Sequence, residues 1–464
     1  MADSMSSFKA LRAEFRPTLQ LAIPLVLAEI GWMSMGVVDT IMVGRLPNSA
    51  IAIGATGLGG SLYNIVGIFG AGLLLGLDTF VAQAHGREDL ADARHSLVNG
   101  FFLALALTPV LMLLISFWPS LMDRFGVNRE LIEPMRPFLT ALNWGTLPLL
   151  AYFGFRRYLQ AVNVVHPIMF ALVSANLVNF VGNWALIYGH LGFPAMGITG
   201  SGWSTCFARI YMALVLLATL VYVESKRKLS EWMGEIRLDF RRMWDLLALG
   251  APAAAQILLE VGAFSGATAL CAKLGAVQLS GHEIALNCAS FTFMVPLGIS
   301  SAAAVRVGQE IGRGSPSRAH VAGWSAIMLG AGFMSCMSLL FVMIPQVIAR
   351  IFSPDPVVIR VGARLLLVAA AFQLFDGIQT VATGALRGCG DTRTPMLANL
   401  VAYWFIGLPV GAVLCFYFGW GAFGIWIGLC TGLMLIGTAL LRTWHVRFRS
   451  QHLAPAAPVS SDAA

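Results

Sequence analysis

From residue 158 to residue 208 the chain reads YLQAVNVVHPIMFALVSANLVNFVGNWALIYGHLGFPAMGITGSGWSTCFA, without one Asp, Glu, Lys or Arg. A second tract free of these residues lies between Arg393 and Arg442. Each tract is long enough for two spans of the ~20 apolar residues that a bilayer requires. Each is broken in its middle by a Gly-rich segment, Gly189 to Gly202 in the first and Gly419 to Gly428 in the second. The whole chain agrees: of 464 residues, 58% are hydrophobic and 11% charged, against about a quarter charged in soluble domains. So few charges cannot cover a water-facing surface, so lipid is the solvent for most of the exterior.

Working outward from these tracts, the apolar runs predict twelve spans: 19–43, 51–82, 97–118, 136–155, 166–189, 197–221, 246–271, 283–307, 320–344, 361–385, 395–418 and 421–441. The two tracts also hold equivalent places in a repeat. Pro24 matches Pro252, and Gly44-Arg-Leu-Pro47 matches Ala272-Lys-Leu-Gly275, both at an offset of 228. Val81-Ala-Gln83-Ala-His-Gly86-Arg87 matches Val307-Gly-Gln309-Glu-Ile-Gly312-Arg313 at 226. Phe125 matches Phe352, and Ala195-Met-Gly197-Ile198 matches Ala422-Phe-Gly424-Ile425, both at 227. Islands in order at nearly one offset mark a duplication. The expected fold class is an all-α integral membrane protein with twelve transmembrane helices in two pseudo-symmetric six-helix lobes. The expected division is an N-terminal segment 1–18, a first lobe 19–222, a linker 223–245, a second lobe 246–442 and a tail 443–464. An even number of spans per lobe sends both lobes through the membrane in the same direction, related by an axis along its normal.

Placing the N-terminus in the cytoplasm puts 21 of the 30 Lys and Arg residues on the inner side and 8 on the outer, with Arg209 inside a span. Both termini and the linker are therefore expected to be cytoplasmic, in a multi-pass plasma-membrane protein. The net charge of +7 is spread over short loops rather than gathered on one surface, so no nucleic-acid partner is expected and the partner is the lipid bilayer. No cleavable signal peptide is evident. Residues Ser7 to Phe15 read as a short amphipathic surface helix or as a frayed basic terminus. The seven cysteines form no C-x-x-C pair and read as packing residues.

Carboxylates at mid-bilayer cost about 2.5–3.5 kcal/mol each on insertion scales and need a reason. Glu29 and Asp39 lie in span 1, Asp78 in span 2, Glu260 in span 7 and Asp376 in span 10. Glu260 and Asp376 are deep in their spans with no base in the deep part of either. Burial away from water favours the neutral form, and a wet or cation-binding site favours the ionised one. Either behaviour suits ion coupling; a protonated acid bonding helices together is the structural alternative. Asp39 faces an internal cavity or the outer rim. Asp78, near the end of span 2, is expected to make a cap or loop contact. Arg209 is the one base expected deep in a span, paired structurally with an acid that sequence does not identify. Asn176, Asn179 and Asn183 share one side of span 5, where they line a polar cavity or bridge helices. There is no G-x-x-x-x-G-K-[ST], H-E-x-x-H or G-x-S-x-G, and the eight histidines lack metal-ligand spacing, so enzyme chemistry and ATP drive are not expected.

Several islands together resemble the multidrug and toxic compound extrusion (MATE) family, most closely its NorM-like branch. They are Val38-Asp39-Thr40-Ile-Met42-Val-Gly44, Leu77-Asp78-Thr79 through Gly86, and Pro252 with Glu260. Others are His282-Glu-Ile-Ala-Leu-Asn287 running to Pro296, Arg306-Val-Gly308, and Phe375-Asp376-Gly-Ile-Gln379 running to Gly388. The resemblance implies a V-shaped pair of six-helix lobes acting as a monomer. It also implies antiport of small cationic or amphipathic compounds against protons or sodium, without a cofactor. It assigns ion coupling to Glu260, Asp376 and Asn287, with Glu260 and Asp376 as the place for sodium where sodium rather than the proton is the coupling ion. It assigns a substrate or proton site in the first lobe to Asp39, Asn179 and Asn183. Two positions depart from the pattern. Phe372 stands where relatives often carry Tyr, which leans the expectation toward protons, and Glu29 stands where they often carry an amide. A lipid-linked-substrate flippase would need a basic cleft, and Arg209 alone is too little for that. A polytopic transferase would need clustered His, Asp or Arg at a membrane face.

Overall fold

The computed structural model describes residues 2–126, 128–227 and 237–453; residues 228–236 of the expected linker and the expected tail beyond 453 lie outside them. The first lobe contains α1 (Ala2–Val43), α2 (Ser49–Leu73), α3 (Gly76–Gly86), α4 (Leu90–Arg124), α5 (Arg129–Trp144), α6 (Thr146–Ala161), α7 (His166–Tyr188) and α8 (Ile198–Ser225). The second contains α9 (Phe240–Ala272), α10 (Ala276–Gly312), α11 (Pro316–Met343), α12 (Pro345–Phe352), α13 (Pro356–Gly388), α14 (Arg393–Asn399), α15 (Leu408–Ala412) and α16 (Ala422–Leu453). There are no strands among the described residues.

Eleven helices of the described residues are long and apolar enough to cross a bilayer. The missing twelfth is the predicted span 136–155. It is two 16-residue helices, α5 and α6, that meet at Gly145. The break frees the Leu142 carbonyl, which accepts from the Gly145 N–H at 3.0 Å and from Arg209 at 3.5 Å. The separate surface helix expected near residues 7–15 is also absent. Those residues are the first turns of α1, and α1 reaches across to the second lobe. Arg306 donates to Glu14 at 2.7 Å, and the Ser325 hydroxyl donates to the Leu11 carbonyl at 3.2 Å. Predicted span 11 is α14 and α15 alternating with π-helical turns at Leu400–Gly407 and Val413–Tyr417. Pro409 has no N–H to donate and crowds the preceding turn, which the wider π winding accommodates.

The exterior is apolar in the way a lipid-facing surface must be. Phe117, Phe170, Leu177 and Phe405 are each at least 60% exposed, while Tyr63, Tyr152, Trp426 and Trp444 are at most 1% exposed.

The lobes are joined by a pseudo-twofold pattern at the end that carries the linker. Gln83 donates to the Gly388 carbonyl at 3.1 Å, and its repeat partner Gln309 donates to the Ala161 carbonyl at 2.9 Å. Residues 83 and 309, and 161 and 388, are separated by the repeat offset. A Cβ on Gly86 would fall on the Gln309 carbonyl, and one on Gly312 would fall on the Gln83 carbonyl. Only glycine lets these backbones approach so closely. Further toward mid-bundle, a Cβ on Gly72 would meet Ala254 Cα at 2.7 Å and one on Gly298 would meet Val26 Cα at 2.8 Å. These contacts hold the lobes together along their linker-side halves.

Candidate functional site

Between the lobes lies a cavity of about 650 Å³, walled by α1, α2 and α6 on one side and α9, α10 and α13 on the other. Glu260 from α9 and Asp376 from α13 both line it. They converge because helical spacing puts Phe372, Asp376, Gln379 and Thr383 on one face of α13. The Gln379 amide donates to Glu260 Oε1 at 3.0 Å, tying the two helices. Nearby, the Gln373 amide donates to the Thr292 hydroxyl at 2.6 Å. The oxygens Gln373 Oε1, Gln379 Oε1 and Tyr403 Oη are buried and accept or donate no hydrogen bond.

Aromatic rings back this cluster. Phe264 packs edge-on against Phe372 and Tyr403, each at 5.9 Å between centroids, and Phe372 lies 5.6 Å from Trp426. A hydrogen-bond chain fixes the next layer. The Trp426 indole donates to His282 Nδ1 at 3.1 Å. An indole N–H can only donate, so Nδ1 is bare and Nε2 carries the proton. Nε2 then donates to the Thr268 hydroxyl at 2.8 Å, which donates to the Phe264 carbonyl at 3.1 Å. Neither His282 nor Tyr403 was singled out from sequence. His282 entered the sequence reading only as the first residue of a motif island, just ahead of predicted span 283–307, and nothing marked Tyr403.

Asn287 is not brought to this cluster. It is exposed, and its amide donates back to the Glu283 carbonyl at 2.8 Å. The cavity wall of α10 is formed by Leu286, Ala289, Ser290 and Phe293, and Asn287 lies ~100° around the helix from Leu286.

The first-lobe residues come together at a separate place, outside that cavity wall. Asp39 Oδ1 accepts from the Asn183 amide at 2.6 Å and Oδ2 from the Thr205 hydroxyl at 3.1 Å. Asn183 also donates to Asn179 Oδ1 at 3.2 Å, and the Ser204 hydroxyl donates to the Asn179 carbonyl at 2.7 Å. Asn176 instead donates to the Gly31 carbonyl at 2.9 Å and bridges α7 to α1.

Three charge assignments change. Glu29 is not an isolated acid; it is paired with Arg156. Asp78, in the first turn of α3, is fully buried, and side chains of other helices hold it in place of a cap or loop contact. Its Oδ1 accepts from Gln160 at 2.6 Å, and its Oδ2 lies 3.3 Å from Arg157 and 3.4 Å from Arg387 of the other lobe. Among the described residues, Arg209 pairs with no acid at bonding distance. Its guanidinium lies 4.5 Å above the Tyr63 ring, a cation–π contact. Nor is Arg209 the only deeply buried base: Arg156, Arg157 and Arg387 are at most 8% exposed and line the central cavity.

The family model MatE matches this chain twice, over residues 24–185 and 252–413. The chain is 36% identical to a probable multidrug resistance protein NorM of Mesorhizobium japonicum, with 96% of each covered. It is 34% identical to the multidrug resistance protein MdtK of Pectobacterium atrosepticum, covering 97% of this chain and 98% of that one. In fold it is similar to the eukaryotic MATE transporter AtDTX14, with a TM-score of 0.84 at 20% identity, over 95% of this chain and 98% of that one. Two acids facing a cavity between duplicated lobes, Asp376 buried and Glu260 half-buried, therefore belong to a multi-pass membrane transporter, and the chain is a member of the MatE family.

Proposed function

We propose that the protein exports cationic or amphipathic compounds across the bacterial inner membrane by antiport with protons or sodium ions. The observation that carries this reading is the pair Glu260 and Asp376 on the wall of one interlobe cavity, linked through Gln379. The names of the NorM and MdtK relatives support the multidrug part of it. A cationic compound and the coupling ion compete for the same two carboxylates. Ion entry from outside displaces the compound, and entry of the compound from the cytoplasm displaces the ion. Coupling then requires only that the lobes rock between two states while the site holds one occupant at a time. Phe264, Phe293 and Met294 give the cavity an apolar lining without a fixed shape, suited to varied occupants.

Either ion fits the chemistry. A proton needs only one of the acids. Sodium prefers several oxygens, as hard cations do. The orphaned Gln373, Gln379 and Tyr403 oxygens are candidates, and Tyr403 makes up for the phenol that Phe372 lacks. Dye efflux from vesicles energised by a sodium gradient or a proton gradient distinguishes the two. The expected result is efflux under one gradient that drops at least ~10-fold in Glu260→Gln and in Asp376→Asn. Undiminished gradient-driven efflux in both variants overturns the proposal.

A further inference from the structure

Three guanidiniums line the cavity near its linker end, and only two carboxylates sit among them. Arg156 pairs with Glu29. Arg157 and Arg387 share one oxygen of Asp78, at 3.3 and 3.4 Å, while Gln160 occupies the other. The five charged groups leave one positive charge uncompensated. The duplication explains the shortfall. Gln160 and Arg387 are equivalent positions across the repeat, but Asp78 has Ala304 as its counterpart at the offset of 226. One acid thus serves the bases of both lobes.

The donors are underused as well. Charge-assisted contacts are usually about 2.7–2.9 Å, so both contacts to Asp78 are long. A guanidinium carries five N–H donors, yet the Nε atoms of Arg156 and Arg157 are buried without a hydrogen bond, and that of Arg387 has only its long 3.4 Å contact to Asp78. The hydroxyl of Thr383, one turn before Arg387 on the cavity wall, is also buried without one.

We infer that the linker-side floor of the cavity is an anion subsite, formed by Arg157, Arg387 and Thr383, that takes the carboxylate of a zwitterionic compound. Its cationic end lies at Glu260 and Asp376, so the inference rests on the transport reading of this cavity. The spacing suits such a compound. Asp376 and Arg387 are separated by ~16 Å along α13. The arginine side chain leans back toward the helix N-terminus, which shortens the gap to ~10 Å. A carboxylate arriving at the floor also competes with Asp78 for Arg387, and so loosens an ion pair that joins the lobes.

The test uses the full-length transporter purified in detergent micelles, a carboxyl-bearing rhodamine and its methyl ester. Both dyes carry the same xanthylium cation, and only the first has a free carboxylate. Fluorescence polarisation gives a Kd for each. Wild type is expected to bind the acid at least ~5-fold more tightly than the ester. In Arg157→Gln and Arg387→Gln the ratio falls to within ~2-fold. In Asp78→Asn the ratio rises, because the competing carboxylate is gone; a loss of folding cannot imitate that direction. Equal Kd values in wild type, failure of the acid to bind, or a preference that survives in both arginine variants overturns the subsite. Binding needs no ion gradient, so a failure of gradient-driven efflux and a failure of this preference are separate results.

Discussion

The acids within the spans have different surroundings, and the difference points to different work. Asp39 is held by short bonds from Asn183 and Thr205, whereas Glu260 accepts from the Gln379 amide beside orphaned oxygens. Asn183→Ala removes the shortest bond to Asp39. It should lower thermal stability by about 1–3 kcal/mol, the cost of an uncompensated buried polar group. Asn176→Ala, which removes a bond to a backbone carbonyl, should cost about 1 kcal/mol. Tryptophan-fluorescence melts of the two variants check the order. The sequence made Asp39, Asn179 and Asn183 legible through the MATE-like motif and the helical spacing of the asparagines. It did not make Arg209 legible, because its partner is the face of Tyr63 rather than an acid, and a ring face leaves no mark of charge in the sequence.

At the scale of elements, helix faces decide membership of the site. α13 carries its acid, amide, hydroxyl and arginine at spacings that keep them on one side, so its polar stripe was readable. α10 misled at one position, since Asn287 is adjacent in sequence to the cavity-lining Leu286 yet exposed. The chain from Trp426 through His282 to Thr268 links α16, α10 and α9. Its links are coupled, so Trp426→Phe and Thr268→Val should not be additive. Each single change should cost about 1 kcal/mol, and the double mutant should cost less than their sum by at least ~0.5 kcal/mol. A double-mutant cycle from thermal unfolding measures this, and additivity would argue against a continuous chain. The Gly145 break that divides predicted span 4 shows the same limit. The freed Leu142 carbonyl is met by Arg209 from α8, 67 residues away in sequence.

At the scale of the whole molecule, the pseudo-twofold crossing of Gly86 with Gln309 and of Gly312 with Gln83 sets how closely the lobes approach. Gly86→Ala and Gly312→Ala should therefore have similar effects, forcing the linker-side halves apart. Thr79, 3% exposed and bonded to the Arg387 carbonyl at 2.6 Å, supplies the readout. A Thr79→Cys reporter in a chain with Cys336 replaced should resist a water-soluble maleimide. Adding either alanine should increase its labelling at least ~5-fold, through the larger open population. Unchanged labelling in both would mean that the crossing does not control closure of that end.

Much of this architecture was fixed by local arithmetic. Lipid demands about twenty apolar residues per span, so the tracts declared a membrane protein. The offset near 227 declared two lobes, and the cost of charge in hydrocarbon drew attention to Glu260 and Asp376. What only the tertiary structure decided was the pairing of charges: Glu29 with Arg156, and Asp78 with Arg157 and with Arg387 of the other lobe. Such pairs depend on the rotation of each helix about its axis. That rotation is set by packing against every neighbour at once, including helices in the other lobe, and no stretch of sequence read alone carries it.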